Sequence, residues 1–110
     1  MPERIRSRTP ARHETPEIDD LALVAARHAD RLLAAARDRD ATRWMTFLAP
    51  LPDRLRDEDL RGLRSAAMRA RAAYGPKDSV RDVLPEELTE PFLESIDRLI
   101  REINRSATRA

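Results

Sequence analysis

The fold is decided by residues 15–37, which read TPEIDDLALVAARHADRLLAAAR. Alanine, leucine and arginine dominate this stretch, and all three are strong helix formers. One side of it repeats at intervals of three and four residues, the period of a helix with one buried face. These positions are Ile18, Leu21, Ala25, His28, Leu32 and Ala35. Thr15 is a suitable N-cap and Pro16 suits the first helical position, so the stretch predicts a long amphipathic helix.

Two later stretches repeat this pattern and predict two more long helices. The first begins after the acids of residues 57–59 and ends at Gly75-Pro76, because glycine and proline commonly follow a helix. The second is expected to begin at an N-cap on Thr89, with Pro91 tolerated in its first turn. Their apolar faces are Leu60, Leu63, Ala67, Ala70 and Tyr74 in the first, and Leu88, Phe92, Ile96, Leu99 and Ile103 in the second.

A short helix is predicted between the first two long ones, over residues 41–49. Asp40 is expected to cap it, and Pro50 and Pro52 are expected to end it. Proline also restricts the residue before it to extended conformations. Residues 50–56 are therefore expected to form a stiff connection.

The composition agrees with an all-α fold. The chain has 110 residues, of which 20 are Arg, 17 are Ala and 13 are Leu, while β-branched residues are few. Ser79 is expected to cap a further short helix over residues 80–84. The expected architecture is a small helical bundle of three long and one or two short helices, with a single domain over residues 15–106 and a frayed tail over residues 107–110.

Several classes of catalytic site are excluded by composition. Cysteine is absent, which excludes disulfide scaffolds, thiol nucleophiles and cysteine metal sites. With two glycines the chain has no phosphate-binding glycine loop, and none of its serines lies in a nucleophile-elbow motif. His28 is expected to belong to the core, and the acids Glu87, Glu90, Glu94 and Asp97 are expected to face solvent. We therefore expect a protein that is not an enzyme and has no metal or cofactor.

The sequence contains no apolar run of the roughly 20 residues that span a bilayer, and its first residues lack the apolar core of a signal peptide. We expect a cytoplasmic protein without membrane contact. Arginine outnumbers lysine 20 to one, which fits a GC-rich bacterial coding sequence.

Residues 1–14 are expected to form a flexible basic arm. Its arginines are Arg4, Arg6, Arg8 and Arg12. Basic arms of this kind contact DNA in some regulators, so these residues are candidates for a nucleic-acid contact.

Charge is distributed unevenly along the second half of the chain. Residues 61–77 carry five cations and no acid, whereas residues 78–103 carry eight acids and three cations. Arg61, Arg64 and Arg71 align on one side of the helix expected over residues 57–74, here α4, with Met68 between them, and we call these three arginines the α4 arginine strip. The strip either binds an acidic partner or a phosphate backbone, or is neutralised by the acids that follow it in the same fold.

Two other features are candidates for contact with a partner. Trp44 belongs to a cluster of large apolar residues that is either a core plug or an exposed anchor. The segment over residues 74–82 contains Lys77, Asp78 and Arg81, and is either a binding loop or a capped corner.

These observations predict a small non-enzymatic interaction or regulatory protein. It would bind a protein partner or form a homodimer through its charged helix faces, with no small-molecule substrate. The alternative is a DNA-associated regulator that uses the basic arm and the α4 arginine strip.

Overall fold

The computed structural model describes residues 11–109, which form five α-helices, three short 3-10 turns and no strand. The helices are α1 (Pro16–Asp38), α2 (Thr42–Leu48), α3 (Leu51–Asp57), α4 (Leu60–Arg71) and α5 (Glu86–Arg109). The expected all-α bundle of three long and one or two short helices is therefore confirmed, although the second short helix is α3 and the short helix expected over residues 80–84 is a 3-10 turn. None of the helices in this part of the chain is both long enough and apolar enough to cross a bilayer.

The long helix α1 is the centre of the bundle. It packs against α2, α3 and α5, while α4 packs against α3 and α5. Its buried face differs from the predicted one, because Leu21 and His28 are only partly buried whereas Ala22 and Ala29 are fully buried. The small alanine side chains let neighbouring helices approach closely, so they occupy the middle of the seam and larger residues flank it. The predicted apolar faces of α4 and α5 are buried except at Tyr74 and Leu88, which are only partly buried, and Tyr74 lies in a 3-10 turn that follows α4.

The junction between α1 and α2 is built differently from the prediction. Asp40 does not cap α2, whose N-cap is Ala41 without a side-chain hydrogen bond. Asp40 instead has a left-handed backbone (φ 54°) and ends α1. The Ala41 amide donates to the Ala36 carbonyl (2.9 Å) and the Asp40 amide donates to Arg37 (3.1 Å). This hydrogen-bond pair is the usual ending of a helix at a left-handed residue.

The prediction of a stiff connection over residues 50–56 is wrong, because α3 occupies this segment. Pro50 is the N-cap of α3 and Pro52 lies in its first turn. Amides in the first turn have no intrahelical acceptor, so proline costs no hydrogen bond there. Leu51 and Leu55 lie one turn apart and are both fully buried, which ties α3 to the core.

The start of α5 also differs from the prediction. Thr89 is not its N-cap but a fully buried residue inside the helix, which begins at Glu86. The amides of Leu88 and Thr89 both donate to the Pro85 carbonyl (2.9 Å each), so the helix starts one turn earlier than expected. Pro91 consequently lies inside the helix, where it has no N–H to donate. The predicted Ser79 cap is confirmed, on a 3-10 turn at Val80–Asp82, and Asp59, the last of the acids before α4, accepts from the Gly62 amide (2.9 Å). Thr15 is the N-cap residue of α1, but its side chain makes no capping hydrogen bond.

Both predicted ends of the domain shift outward. Arg4, Arg6 and Arg8 lie outside the described residues, but Arg12 was wrongly assigned to a flexible arm. Its side chain is only 13% exposed, with Nε 2.9 Å from Asp19 Oδ1 and Nη1 donating to the Glu58 carbonyl (2.9 Å). At the other end α5 continues through Arg109, so the tail expected over residues 107–110 is helical up to that residue.

Candidate functional site

A groove of about 320 Å³ lies between the start of α2 and the turn that precedes α5. We call it the α2 groove. It brings together two features that the sequence singles out separately, the Trp44 cluster and the segment over residues 74–82. Its lining residues are Ala41, Thr42, Arg43, Trp44, Asp78, Ser79, Asp82 and Val83.

Apolar and charged groups share the lining of the α2 groove. Trp44 is only 4% exposed and belongs to the core, where its ring meets Phe47 edge to face with centroids 5.5 Å apart. Val83 is 44% exposed, which is unusual for an aliphatic side chain in this bundle. The Arg43 guanidinium lies 4.8 Å from the centre of the Trp44 ring, a cation–π contact. The groove therefore offers an apolar patch beside a cation.

The opposite wall is held by hydrogen bonds within the turn at Val80–Asp82. The Ser79 hydroxyl accepts from the Arg81 amide (3.1 Å), and Asp82 Oδ2 accepts from the Ser79 amide (3.2 Å). Val80 is fully buried below them and anchors the turn to the core. Asp78 and Asp82 thus present two carboxylates on this wall, of which Asp82 also stabilises the turn.

Backbone strain is located beside the α2 groove. Among residues 11–109 the non-glycine residues with positive φ are Asp40 (54°) and Asp78 (53°). Asp40 directly precedes Ala41 on one wall, and Asp78 belongs to the other wall. Aspartate tolerates the left-handed region better than most residues, but the conformation still costs free energy. The shape of the groove therefore depends on two strained turns.

The remainder of the segment over residues 74–82 is a structural corner. Arg81 donates from Nε and Nη2 to the two Glu90 carboxylate oxygens (2.8 Å each), and its guanidinium lies 5.2 Å from the centre of the Tyr74 ring. The Tyr74 hydroxyl donates to the Thr89 carbonyl (2.5 Å). Arg81, a predicted partner contact, is therefore engaged with α5, and Lys77 is exposed on the adjoining loop.

The electrostatics of this corner follow from its contacts. Burial raises the pKa of Tyr74, and the nearby Glu90 charge acts in the same direction. The hydrogen bonds from Arg81 lower the pKa of Glu90 and raise that of Arg81. The corner thus keeps a neutral phenol beside an ion pair and fixes the wall of the α2 groove to α5.

The α4 arginine strip is partly neutralised inside the fold. Arg71 Nε lies 2.9 Å from Asp97 Oδ1, and Arg64 Nε donates to Asn104 Oδ1 (3.0 Å). These contacts are seven residues apart on both helices, as expected for an antiparallel pair. Arg61 is exposed, as is Met68 at 43%. Of the two interpretations of the strip, neutralisation by α5 describes Arg71, whose partner is a carboxylate. Arg64 is held by the neutral amide of Asn104, which leaves its charge in place, and an open surface describes Arg61.

Groups with catalytic or metal-binding potential are dispersed. His28 is partly buried, and burial together with Arg31 and Arg27 lowers its pKa. No group of three or more His, Asp or Glu side chains within residues 11–109 is arranged to hold a metal ion. Of the four acids expected to face solvent, Glu87 and Glu94 are exposed. The other two, Glu90 and Asp97, are partly buried and form ion pairs with Arg81 and Arg71.

Sequence reasoning missed Arg43 and Val83. Val83 follows the Ser79 cap at a position outside any helical apolar face, and this isolation is the only sequence signal for it. No signal connects Val83 to Arg43, because their proximity results from the packing of α2 beside a turn 40 residues later.

The α2 groove combines an apolar patch with a cation and two carboxylates, which suits it to hold a side chain and its charged neighbours. No protein-family model, curated protein or solved structure matches this chain.

Proposed function

We propose that this protein is a non-enzymatic interaction protein that binds a short segment of a protein partner in the α2 groove. The observation that supports the proposal is Val83, a 44% exposed aliphatic side chain that lines the groove together with Trp44 and with charges of both signs. Binding sites are typically concave and apolar with a few polar groups that fix orientation. Tryptophan and arginine are also enriched among the residues that dominate protein interfaces.

The dimensions and charges of the groove define the segment that it would bind. A volume of about 320 Å³ is at the small end of ligand sites and accommodates one apolar side chain with its flanking backbone. Asp78 and Asp82 favour basic neighbours in the bound segment, and Arg43 favours an acidic one. The expected ligand is therefore an aliphatic residue between basic residues.

The single tryptophan allows this proposal to be tested directly, because Trp44 lines the groove. Three short peptides with a central isoleucine, flanked by arginines, glutamates or serines, are titrated against the protein while Trp44 emission is recorded. We expect the arginine-flanked peptide to change the emission and the glutamate-flanked peptide to bind at least tenfold more weakly. Val83→Asp should abolish the change.

Met68→Asp is the matched control, because Met68 is equally exposed (43%) but lies on α4, away from the groove. It should bind the arginine-flanked peptide as the unaltered protein does. If Val83→Asp and Met68→Asp bind all three peptides alike, the α2 groove is not the binding site and the proposal fails.

A DNA-associated role is the second candidate, and it is supported by the exposed Arg61 of the α4 arginine strip. It has less support than the first, since Arg64, Arg71 and Arg12 have partners within the fold. DNA binding should weaken steeply with salt, and Arg61→Glu should reduce the slope of that dependence. A gel shift at low salt without retardation would exclude it. A cytoplasmic location and a bacterial source stay predictions.

A further inference from the structure

We infer that the occupant of the α2 groove is the segment Arg4-Ile5-Arg6 of a second copy of this chain. This inference rests on the proposed function and names the ligand of that same groove. Residues 1–10 lie outside the described part of the structure, and the inference uses their sequence, their length and the place where the described chain begins.

The sequence of this segment complements the lining of the groove. Ile5 is the only aliphatic residue after Met1 in residues 1–10, and it matches the apolar patch of Val83 and Trp44. Arg4 and Arg6 flank it and match the carboxylates of Asp78 and Asp82. Long arginine stems let the guanidinium groups reach the rim while the central residue enters the groove.

A third charge of the first segment, that of Glu3, also has a counterpart of opposite sign in the groove. Glu3 precedes the segment, and among residues 11–109 Arg43 is the one cation that lines the groove. The segment therefore carries one acid, two bases and one aliphatic residue, and the groove offers one cation, two carboxylates and an apolar patch as their counterparts. Charge complementarity of this kind specifies a partner more than it raises affinity.

The segment is too short to reach the groove of its own chain. Arg12 is held by Asp19 near the start of α1, whereas the α2 groove lies beyond Asp38 at its other end. The helix rises about 28 Å between Asp19 and Asp38. The chain between Ile5 and Arg12 spans at most about 25 Å when fully extended. This shortfall favours another copy as the source of the occupant.

Two copies can each place their first segment in the other's α2 groove if their α1 helices lie antiparallel. The start of α1 in one copy then lies beside the end of α1 in the other, so each first segment reaches the partner's groove. Such a reciprocal exchange closes into a dimer with twofold symmetry. Two weak contacts in one assembly reinforce each other, because the second forms within a complex that already exists.

The full chain is the material for the test, and its mass is measured by sedimentation over a wide concentration range. We expect the mass to rise from monomer to dimer with concentration, and Trp44 emission to change over the same range. Ile5→Asp and Val83→Asp should each weaken association by about tenfold or more, because each removes an apolar contact. Met68→Asp should associate like the unaltered chain. Far-ultraviolet circular dichroism verifies that every variant keeps its helices.

A mixing experiment separates exchange of segments from other kinds of association. The Ile5→Asp copy keeps an intact groove, and the Val83→Asp copy keeps an intact first segment. Each should be monomeric alone, whereas their mixture should form a heterodimer through one remaining contact, at higher concentrations than the unaltered dimer because the second contact is missing. A mixture that associates no more than either variant alone, up to the highest concentration measured, would overturn the inference.

The outcomes distinguish this inference from the proposed function. If the full chain is monomeric throughout and the Ile5→Asp variant binds the arginine-flanked peptide, the second-copy occupant is wrong and the groove still binds a partner segment. If the Ile5→Asp variant binds none of the three peptides, the proposed function fails as well. A dimer that persists in both Ile5→Asp and Val83→Asp overturns the inference, because another surface then holds the copies together.

Discussion

Replacing Asp40 with glycine should make the protein more stable, although it removes a side chain. Asp40 ends α1 with φ 54°, a conformation that disfavours residues with a Cβ by about 1–2 kcal/mol. Glycine avoids this cost but loses about 0.5–1 kcal/mol through the greater freedom of the unfolded chain. The expected net gain in the free energy of unfolding is about 0.5–1 kcal/mol. For a domain of this size, that gain corresponds to a midpoint about 4 °C higher.

Urea denaturation followed by Trp44 emission measures this gain, with Asp38→Gly as the control. Asp38 lies in the last turn of the same helix and has no positive φ, so the same substitution should cost about 0.5–1 kcal/mol there. The control also removes the same charge near the end of α1, so the helix dipole affects both variants alike. If Asp40→Gly is no more stable than Asp38→Gly, the left-handed backbone at residue 40 carries no strain and the reasoning is wrong.

Three further predictions concern burial and ionisation. Burial raises the pKa of Tyr74 above 10.0, so the neutral phenol should contribute its full share to the free energy of unfolding below pH 10.0, and that share should be lost as the pH rises further. Tyrosinate absorbance that appears near pH 10 in the still-helical protein would contradict this. The pKa of His28 is lowered from 6.5, so the unfolded state binds the proton of this imidazole more readily, and stability should fall as the pH decreases below 6.5. In His28→Gln, the urea midpoint should change less with pH over that range. Ala29→Leu should destabilise the fold by about 1–3 kcal/mol through overpacking, whereas Ala34→Leu, on the exposed side of α1, should change stability by less than about 0.5 kcal/mol in the same assay.

The positions of the long helices follow from periodicity, and this part of the fold is predictable. Leu60, Leu63 and Ala67 lie where a period of 3.6 residues places them, and the cap at Asp59 has a side-chain acceptor at the expected spacing. The periodic pattern gives the wrong buried face for α1, because such a pattern favours large apolar residues over alanine. Ala22 and Ala29 are buried at the centre of the seam since only a small side chain fits there, and a hydrophobicity pattern cannot express that constraint.

Helix boundaries near proline are harder to predict, because proline acts differently at different positions. Pro50 and Pro52 look like terminators in sequence, yet they begin α3, where a missing N–H costs nothing. Pro91 looks like a first-turn residue, yet packing of Thr89 into the core extends α5 toward its N-terminal side. In both cases the tertiary contacts of neighbouring residues decide the boundary.

The sequence identifies some residues of the candidate site but not that they lie close together. Trp44 and Asp78 are conspicuous as a lone tryptophan and a charge beside a Gly-Pro break, so composition alone draws attention to them. Their proximity is a long-range contact, and no local pattern reports it. Arg81 is equally conspicuous in sequence, but its pairing with Glu90 makes it part of the scaffold.

The alanine seam of α1 limits how this chain can change over evolutionary time. Every substitution from alanine except glycine adds volume, and glycine weakens a helix, so Ala22, Ala25, Ala26 and Ala29 can rarely change unless a facing residue becomes smaller first. Variation should therefore accumulate on the outward side of the helix and in the turns, while paired exchanges of bulk between α1 and α5 mark the rare permitted changes within the seam.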